Sequence, residues 1–366
     1  MNKLFNPLIL LLCIVAMVSC SKKEDVIVEP VEVKRPFVDY TIAAGDDPLT
    51  FKFENKSSDY KTLEWRFGDD SLSAEVSPTH VYPKPGIFEV NLKATSADGS
   101  TARKLLVIKI VADSIANFGA VKTSVINEVK FSATSKTTIK SLLWDFGDGT
   151  TSTDPTPTKT YPAGKFMNAT LTITTNKGSK VTLVRKVTSK GSLIDVTDRY
   201  LLNTGPGFKA AQIIGRWGIL SDWTVNNAVK QRGSGMGSWD SYNGGQWLSM
   251  ESWGGETWIT NGKISQTMTL PAGTYFFNAI YNDYTINTDN GKSYIVMAEG
   301  DVLPDVNDVE TKSLGFYRLR GSSPIDVVAS MEITKTTKVS IGHSCTMEAS
   351  NQTIKCRQVR LYKAFE

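Results

Sequence analysis

The chain has 366 residues, of which 40% are hydrophobic and 21% charged, and its formal net charge is +4 at pH 7. This charge is too small for a nucleic-acid-binding surface, and no run of lysine and arginine residues stands out. The composition therefore excludes nucleic acid as a partner.

The first 19 residues are predicted to form a secretory signal peptide. Lys3 precedes an apolar run from Leu8 to Val18, which is shorter than the roughly 20 residues that a membrane span needs. The segment MVSC, ending at Cys20, resembles the lipobox at which bacterial lipoprotein signal peptides are cut. That resemblance implies that Cys20 is the acylated first residue of the mature protein. An ordinary secretory signal with an incidental cysteine is the alternative.

Residues 20–35 combine charged residues with Pro30 and lack a helical or long strand pattern, which predicts a stiff tether. Glu24 and Asp25 follow Cys20 closely, an arrangement that resembles the export signal of some surface lipoproteins of Gram-negative bacteria. We therefore expect a protein that is lipid-anchored in the outer membrane and faces the cell exterior.

The next segment is duplicated. Identical residue types recur at a constant separation of 79 residues, for example in the pairs Trp65 and Trp144, Phe67 and Phe146, and Tyr82 and Tyr161. Short runs such as FKFEN and IFEVNLKA alternate apolar and polar residues, which predicts strands with one buried face. Each repeat is therefore expected to form a small β-sandwich, with the alternating Trp and Phe of each pair in its core.

The stretches WRFGDD and WDFGDG, each followed by a Tyr-Pro segment, resemble the PKD-type domain. The resemblance implies two immunoglobulin-like β-sandwiches, at residues 36–112 and 113–190, that act as spacers or adhesive modules. Asp70 stands where the second repeat has Gly149, so we expect a different turn type in the first repeat.

Asp69, Asp70 and Asp148 have two interpretations. Clustered carboxylates are suited to calcium, whereas a turn aspartate bonds to its own backbone. The second interpretation is favoured, so a structural calcium ion is possible but no cofactor or metal site is predicted.

From about residue 192 the repeat stops, and six of the eight tryptophans fall between Trp217 and Trp258. Strand-like runs continue to the end of the chain, so residues 192–366 are predicted to form one all-β domain. The segment QTMTLPAGTYFFNAIY and the closing RQVRLYK resemble the galactose-binding-like jelly rolls that include many carbohydrate-binding modules. The resemblance implies glycan recognition without catalysis, by loops at one end or by one sheet face.

Cys345 and Cys356 are the remaining cysteines after removal of Cys13 with the signal peptide and acylation of Cys20. If they face each other across a hairpin with Ser350 and Asn351 at its turn, they form a disulfide. Two reduced thiols in the core are the alternative.

The tryptophan-rich stretch 239–258 contains the predicted ligand site. Alternation places Leu248 and Met250 in the core, and it places Trp247 and Trp253 on the other face with Ser249 and Glu251. Sugars stack on exposed aromatic rings and bond to polar residues at the rim. The predicted carbohydrate-binding residues are Trp239, Tyr242, Trp253, Trp258, Asp283 and Tyr284, whereas Trp217, Trp223, Phe276 and Phe277 are assigned to the core.

The chain has only two histidines, His80 and His343, and it lacks the common hydrolase and metalloprotease motifs. We therefore predict that the protein is not an enzyme. The predicted function is a surface glycan-binding lipoprotein that captures polysaccharide or oligosaccharide and works beside outer-membrane glycan-uptake components. The alternative is an adhesin or assembly factor that binds a protein.

Overall fold

The computed structural model describes residues 34–229, 237–252, 258–287, 291–348 and 351–365. The predicted all-β fold is confirmed, because helical segments in these residues are single turns: α1 (Ala112–Ile115), α2 (Thr197–Tyr200), α3 (Val309–Lys312) and the 3₁₀ turns Tyr242–Gly244 and Val306–Asp308. In the described part of the chain, no helix has the length and apolarity needed to cross a membrane.

The first repeat forms two antiparallel sheets. One contains β1, β2 and β5, and the other has the order β4-β3-β6-β7. The strands are β1 (Tyr40–Ala44), β2 (Thr50–Asn55), β3 (Thr62–Arg66), β4 (Leu72–Ser73), β5 (Thr79–Val81), β6 (Gly86–Thr95) and β7 (Thr101–Ile110).

The second repeat has the same arrangement. Strands β8, β9 and β12 pair together, and β11-β10-β13-β14 form the facing layer. The strands are β8 (Ala116–Lys122), β9 (Glu128–Ser135), β10 (Ile139–Asp145), β11 (Thr151–Ser152), β12 (Thr158–Thr160), β13 (Met167–Thr175) and β14 (Lys180–Thr188).

The aromatic pairs of the repeats lie in their cores, as predicted. Trp65, Phe67, Trp144 and Phe146 are all buried. Each indole also donates a hydrogen bond to the backbone ten residues later: Trp65 Nε1 lies 2.9 Å from Glu75 O, and Trp144 Nε1 lies 2.9 Å from Asp154 O. The rings therefore fill the core and fix the following loop.

The turns at Asp70 and Gly149 are alike, so the expected difference in turn type is wrong. Asp70 has φ +69° and Gly149 has φ +86°, both in the left-handed region. Aspartate tolerates this region better than most residues do, because its short side chain interacts with nearby backbone.

The C-terminal domain is a sandwich of two antiparallel sheets. The first sheet follows the order β15-β27-β20-β19-β17-β16, with β22 on the other edge of β27 and β25 beyond β22, and the second has the order β18-β21-β26-β23-β24. The strands are β15 (Gly191–Asp195), β16 (Ala210–Ile214), β17 (Trp217–Leu220), β18 (Thr224–Val225), β19 (Ser238–Asp240), β20 (Trp247–Ser252), β21 (Ile259–Leu270), β22 (Gly273–Thr285), β23 (Gly291–Glu299), β24 (Gly315–Leu319), β25 (Asp326–Ile333), β26 (Thr337–Met347) and β27 (Gln352–Ala364).

The alternation predicted for β20 is confirmed for its core face. Leu248 and Met250 are fully buried between the two sheets, and Trp223 and Phe277 join the same core. Phe276 is also buried, but its ring lies 5.8 Å from that of Phe166 in the second repeat, so it packs between domains.

Strand β15 connects the second repeat to the C-terminal domain. It pairs with β14 and β8 of the repeat and with β27 of the sandwich. Ser192 lies in this junction, where its Oγ accepts a hydrogen bond of 2.6 Å from Ala120 N and its carbonyl accepts one of 2.7 Å from Phe365 N. The two domains therefore share hydrogen-bonded sheet structure.

The predicted disulfide between Cys345 and Cys356 is wrong. Both residues are buried and both thiols are free. The hairpin prediction failed because β26 pairs with β21 and β23 in one sheet, whereas β27 pairs with β20 and β22 in the other. The chain crosses between the sheets, so the cysteines are not directly opposed on paired strands.

Candidate binding face

Two of the predicted binding residues belong to the core instead. Trp239 is 4% exposed, and its Nε1 donates a hydrogen bond of 2.6 Å to Phe208 O. Tyr284 is 1% exposed, and its hydroxyl donates to Pro324 O over 3.0 Å. Both assignments were wrong because Trp239 pairs with Leu248 and Tyr284 pairs with Ile354, two core residues, so both rings lie on the inner side of the sheet.

The other four predicted binding residues lie in different parts of the C-terminal domain or outside the described residues. Tyr242 is 43% exposed and Asp283 is also exposed, and both lie on the outer side of the first sheet. Trp258 is 61% exposed, but it precedes β21 in the second sheet. Trp253 lies outside the described residues.

Tyr242 and Asp283 come together around Lys355. Lys355 pairs with Ser249 on one side and with Asp283 on the other. Its Nζ lies 5.4 Å from the centre of the Tyr242 ring. We call the surface formed by Arg216, Asp240, Tyr242, Trp247, Glu251, Asp283 and Lys355 the Tyr242 face.

A chain of charged groups fixes this face. Arg216 donates through Nε and Nη2 to the two carboxylate oxygens of Asp240, each over 2.7 Å. Its Nη2 also lies 3.2 Å from Glu251 Oε2, and Lys355 Nζ lies 3.7 Å from that same oxygen. Two cations thus match two buried carboxylates, which is the condition under which charges remain ionised away from water.

The hydrogen bonds from Arg216 to Asp240 raise the pKa of the guanidinium group above its usual range. Arg216 therefore carries a permanent charge and a fixed plane. Its guanidinium carbon lies 4.4 Å from the centre of the Tyr242 ring, a distance at which a cation and an aromatic ring attract each other. Asp240 also accepts a 2.9 Å hydrogen bond from the Tyr242 backbone N–H, so one buried carboxylate positions both the cation and the ring.

Trp247 borders the face and is partly exposed, as its alternation with Leu248 predicted. Its Nε1 donates to Tyr242 O over 3.1 Å. The indole also lies against Gly245, where an added Cβ would come within 1.9 Å of Trp247 Cζ2. Glycine at position 245 is therefore required for the ring to lie where it does.

Sequence reasoning missed Arg216 and Lys355, and it placed Trp217 in the core. Trp217 is partly exposed on the outer side of β17, where it pairs with Asp240. Its alternation with the buried Leu220 and Gly218 could have indicated this orientation. No neighbouring residue in the sequence indicates that Arg216 belongs to this face, because its carboxylate partners lie 24 and 35 residues away.

Asp69 and Asp148 accept hydrogen bonds within their own turns, from Ser71 N over 3.2 Å and from Thr150 N over 3.1 Å. Asp69 Oδ2 lies 2.8 Å from His80 Nε2, and Asp148 Oδ2 lies 2.7 Å from Lys159 Nζ at the equivalent position. The hydrogen bond from Lys159 lowers the pKa of Asp148 to about 2. Within the described ranges, no group of three or more His, Cys, Asp or Glu residues could hold a metal ion.

His343 lies in the sandwich core. Its Nε2 is 2.8 Å from the hydroxyl of Tyr281, which belongs to the opposite sheet. Burial lowers the pKa of His343 to about 3, so the imidazole is neutral at physiological pH. The pair is a buried polar link between the sheets and lies away from the exposed rings.

Comparisons with known proteins find two family models that match separate segments of the chain. Residues 33–111 and 107–189 match the family model described as a PKD domain, and residues 202–342 match the domain of unknown function DUF5013. Neither model is described as an enzyme family.

Three solved structures illustrate the similarity. The PKD1 domain of the Vibrio cholerae metalloprotease PrtV is 26% identical, over 21% of this chain and 98% of that domain, with a TM-score of 0.20. The Bacteroides ovatus mixed-linkage glucan utilization locus protein SGBP-B, solved with a mixed-linkage heptasaccharide, is 10% identical over 90% and 100% of the two chains, with a TM-score of 0.24. Carbohydrate-binding modules of the β-sandwich superfamily match at 14% identity over 90% and 99%, with a TM-score of 0.22.

TM-scores of 0.20 to 0.24 are too low to support an inference about function. The family models nevertheless account for the duplication and for the change of composition near residue 192. The chain thus contains two tandem PKD domains followed by an all-β region that matches the DUF5013 model.

Proposed function

We propose that the protein is a cell-surface lipoprotein that captures polysaccharide or oligosaccharide through the Tyr242 face. The observation that carries the proposal is an exposed aromatic ring with two cations beside it, Arg216 at 4.4 Å and Lys355 at 5.4 Å. Both cations lie within 4 Å of buried carboxylates and therefore do not have to be ordered when a ligand binds.

The chemistry of the face suits a sugar. The C–H side of a pyranose ring is weakly apolar and can pack on the exposed part of Tyr242, while ring hydroxyls can accept from Arg216, whose side chain is 35% exposed. The carboxylate of Asp283 has no hydrogen-bond or ion-pair partner among the described residues and could accept from a hydroxyl. Asp240 and Glu251, by contrast, are buried against Arg216 and serve to position it.

The PKD domains serve as spacers in this proposal. Lys180 N donates to Pro83 O over 2.8 Å, and Ser179 Oγ donates to Tyr82 O over 2.7 Å, so the first repeat is bonded to the second. The junction at Ser192 also contains a buried hydrogen bond, so the first repeat is joined to the second, and the second to the C-terminal domain, by buried hydrogen bonds. Such connections would hold the binding face in a defined orientation relative to the first repeat.

Affinity electrophoresis of the full chain through gels that contain one polysaccharide each tests the binding proposal. Tyr242→Ala should abolish the retardation, Tyr242→Phe should preserve it, and Phe37→Ala, at an exposed ring in the first PKD domain, should leave it unchanged. Unaltered retardation of Tyr242→Ala would remove the face from the binding site. No retardation of the wild-type chain by any polysaccharide would instead favour a protein partner.

The anchor needs its own test, because Cys20 lies outside the described residues. Wild-type protein should incorporate radiolabelled palmitate and sediment with membranes, whereas Cys20→Ala should do neither. Persistent lipid labelling of the variant would contradict lipidation at Cys20.

A further inference from the structure

A second polar cleft lies on the opposite side of the C-terminal sandwich. It has a volume of about 440 Å³, within the range of small-molecule sites. One wall consists of the ends of β21, β23 and β26 in the second sheet, and the other is the segment around the 3₁₀ turn Val306–Asp308. Its lining includes Thr260, Lys292, Asp305, Arg318 and Glu348.

Trp258 immediately precedes β21, whose first residues line this cleft. Ile259 is fully buried, so alternation directs Trp258 and Thr260 to the same outer side, where Thr260 lines the cleft. Ile259 pairs with Met347 on β26 at the end of the antiparallel register, so Trp258 and Glu348 are the residues that flank this last pair. A 61% exposed indole therefore flanks the end of the strand pair that lines the cleft.

The charges of the lining are mixed and only partly neutralised. Asp305 is bound by Lys263 Nζ over 2.6 Å and by Asn261 Nδ2 over 2.7 Å. Lys292 Nζ donates to the neutral amide oxygen of Asn307 over 2.7 Å and has no carboxylate partner among the described residues. Arg318 Nη1 lies 3.6 Å from Glu310, and its buried Nε has no partner in the described part of the chain.

The presence of both cations and carboxylates in the lining favours a neutral ligand. Glu348 and Asp305 would repel a polyanion, and Lys292 and Arg318 would repel a cation. A hydroxyl group both donates and accepts hydrogen bonds, so a ligand with many hydroxyls can satisfy the ammonium and the carboxylate together. The exposed Trp258 ring adds a stacking surface for the C–H side of such a ligand.

We infer that this cleft is a second binding site, specific for a neutral sugar residue, with Trp258 as its stacking ring. It extends the proposed function, because the cleft and the Tyr242 face lie on the outer sides of different sheets, which pack about 10 Å apart with further side chains between. One short oligosaccharide does not occupy both sites, so each protein chain binds two oligosaccharides.

Isothermal titration calorimetry of the full chain tests this inference with maltoheptaose, cellohexaose, mannohexaose and the anionic hexagalacturonic acid as probes. The wild-type chain should bind at least one neutral probe at two sites. Trp258→Ala should lower the affinity of one site by about tenfold or more, and Trp258→Tyr should retain it. Tyr242→Ala should remove the other site, and the double variant should bind nothing.

The outcomes separate the two proposals. Binding that is unchanged in Trp258→Ala but lost in Tyr242→Ala overturns the second site alone, and the reverse pattern overturns the Tyr242 face alone. Tighter binding of hexagalacturonic acid than of every neutral probe at the Trp258 site overturns the ligand class. A wild-type chain that binds no neutral probe overturns the Trp258 site, and one that binds none of the four probes overturns both sites. Trp258 is largely exposed, and equal urea unfolding midpoints confirm that its variants are folded.

Discussion

Arg216 donates hydrogen bonds to both carboxylate oxygens of Asp240, which lies 24 residues later in the sequence. Arg216 lies in the turn between β16 and β17, and Asp240 lies in β19, which pairs with β17. Asp240 is fully buried, while the Arg216 side chain is 35% exposed. The buried partner thus holds an accessible cation in one orientation beside Tyr242. This relationship is the basis of the proposed binding face, because it makes the face rigid before any ligand arrives.

Arg216→Met should destabilise the protein by about 3 kcal/mol, because it leaves Asp240 and Glu251 buried with reduced compensation. The measurement is urea unfolding at pH 7. Lys312→Met removes an exposed ion pair with Asp308 and should change the free energy of unfolding by less than about 0.5 kcal/mol. Equal effects of the two substitutions would show that burial does not strengthen the Arg216 network.

Two glycines in the second PKD domain should differ in their tolerance of alanine. Both have left-handed φ, +79° at Gly147 and +86° at Gly149, but a Cβ at Gly147 would lie 2.6 Å from Asn168 O, whereas a Cβ at Gly149 would meet no atom within 4 Å. Gly149→Ala should therefore cost about 1 kcal/mol from backbone strain alone. Gly147→Ala should cost about 3 kcal/mol, since steric overlap adds to that strain. Thermal unfolding of the variants measures both values, and equal losses would contradict the close approach.

Cys345 and Cys356 should remain reduced and unreactive in the folded protein. Burial raises the pKa of the Cys356 thiol to about 12 and also raises the pKa of Cys345, so little thiolate exists at pH 8. In a Cys20→Ala chain without its signal peptide, a thiol reagent should titrate both cysteines only after unfolding. A fall in melting temperature on addition of dithiothreitol would contradict this result, because it would reveal a disulfide.

His343 should make folding stability depend on pH. Its pKa is about 3 in the folded protein against 6.5 in the unfolded chain, so below pH 6.5 the unfolded state binds the additional proton. The contribution is fully present above pH 6.5 and is lost as pH falls towards 3, by about 1.4 kcal/mol per pH unit. His343→Leu should have a shallower dependence of unfolding free energy on pH between 4 and 6. Identical slopes would show that the imidazole is not buried in its neutral form.

The fold could be predicted from the sequence where local patterns determine it. The 79-residue offset is visible directly as repeated residue types, and the alternation of Trp65 with Phe67 depends only on the two-residue period of a strand. Together they were sufficient to predict the two repeats. Long-range pairing was not predictable in this way. Cys345 and Cys356 lie eleven residues apart in the sequence, yet their strands belong to opposite sheets.

The binding face was predictable only in part for the same reason. Aromatic composition identified Tyr242, but Trp239 lies in the same glycine-rich stretch and points inward because it pairs with Leu248 on β20. Arg216 and Lys355 are ordinary basic residues in the sequence. They become part of the face only when β17, β19, β20 and β27 align side by side.

The most direct test of the account is a crystal structure of the full chain with an oligosaccharide that retards it in electrophoresis. We predict a sugar ring packed against Tyr242, with hydroxyl groups within hydrogen-bond distance of Arg216 or Asp283. A sugar bound elsewhere in the C-terminal domain, with Tyr242 free of contact, would contradict the assignment of this face as the glycan-binding site.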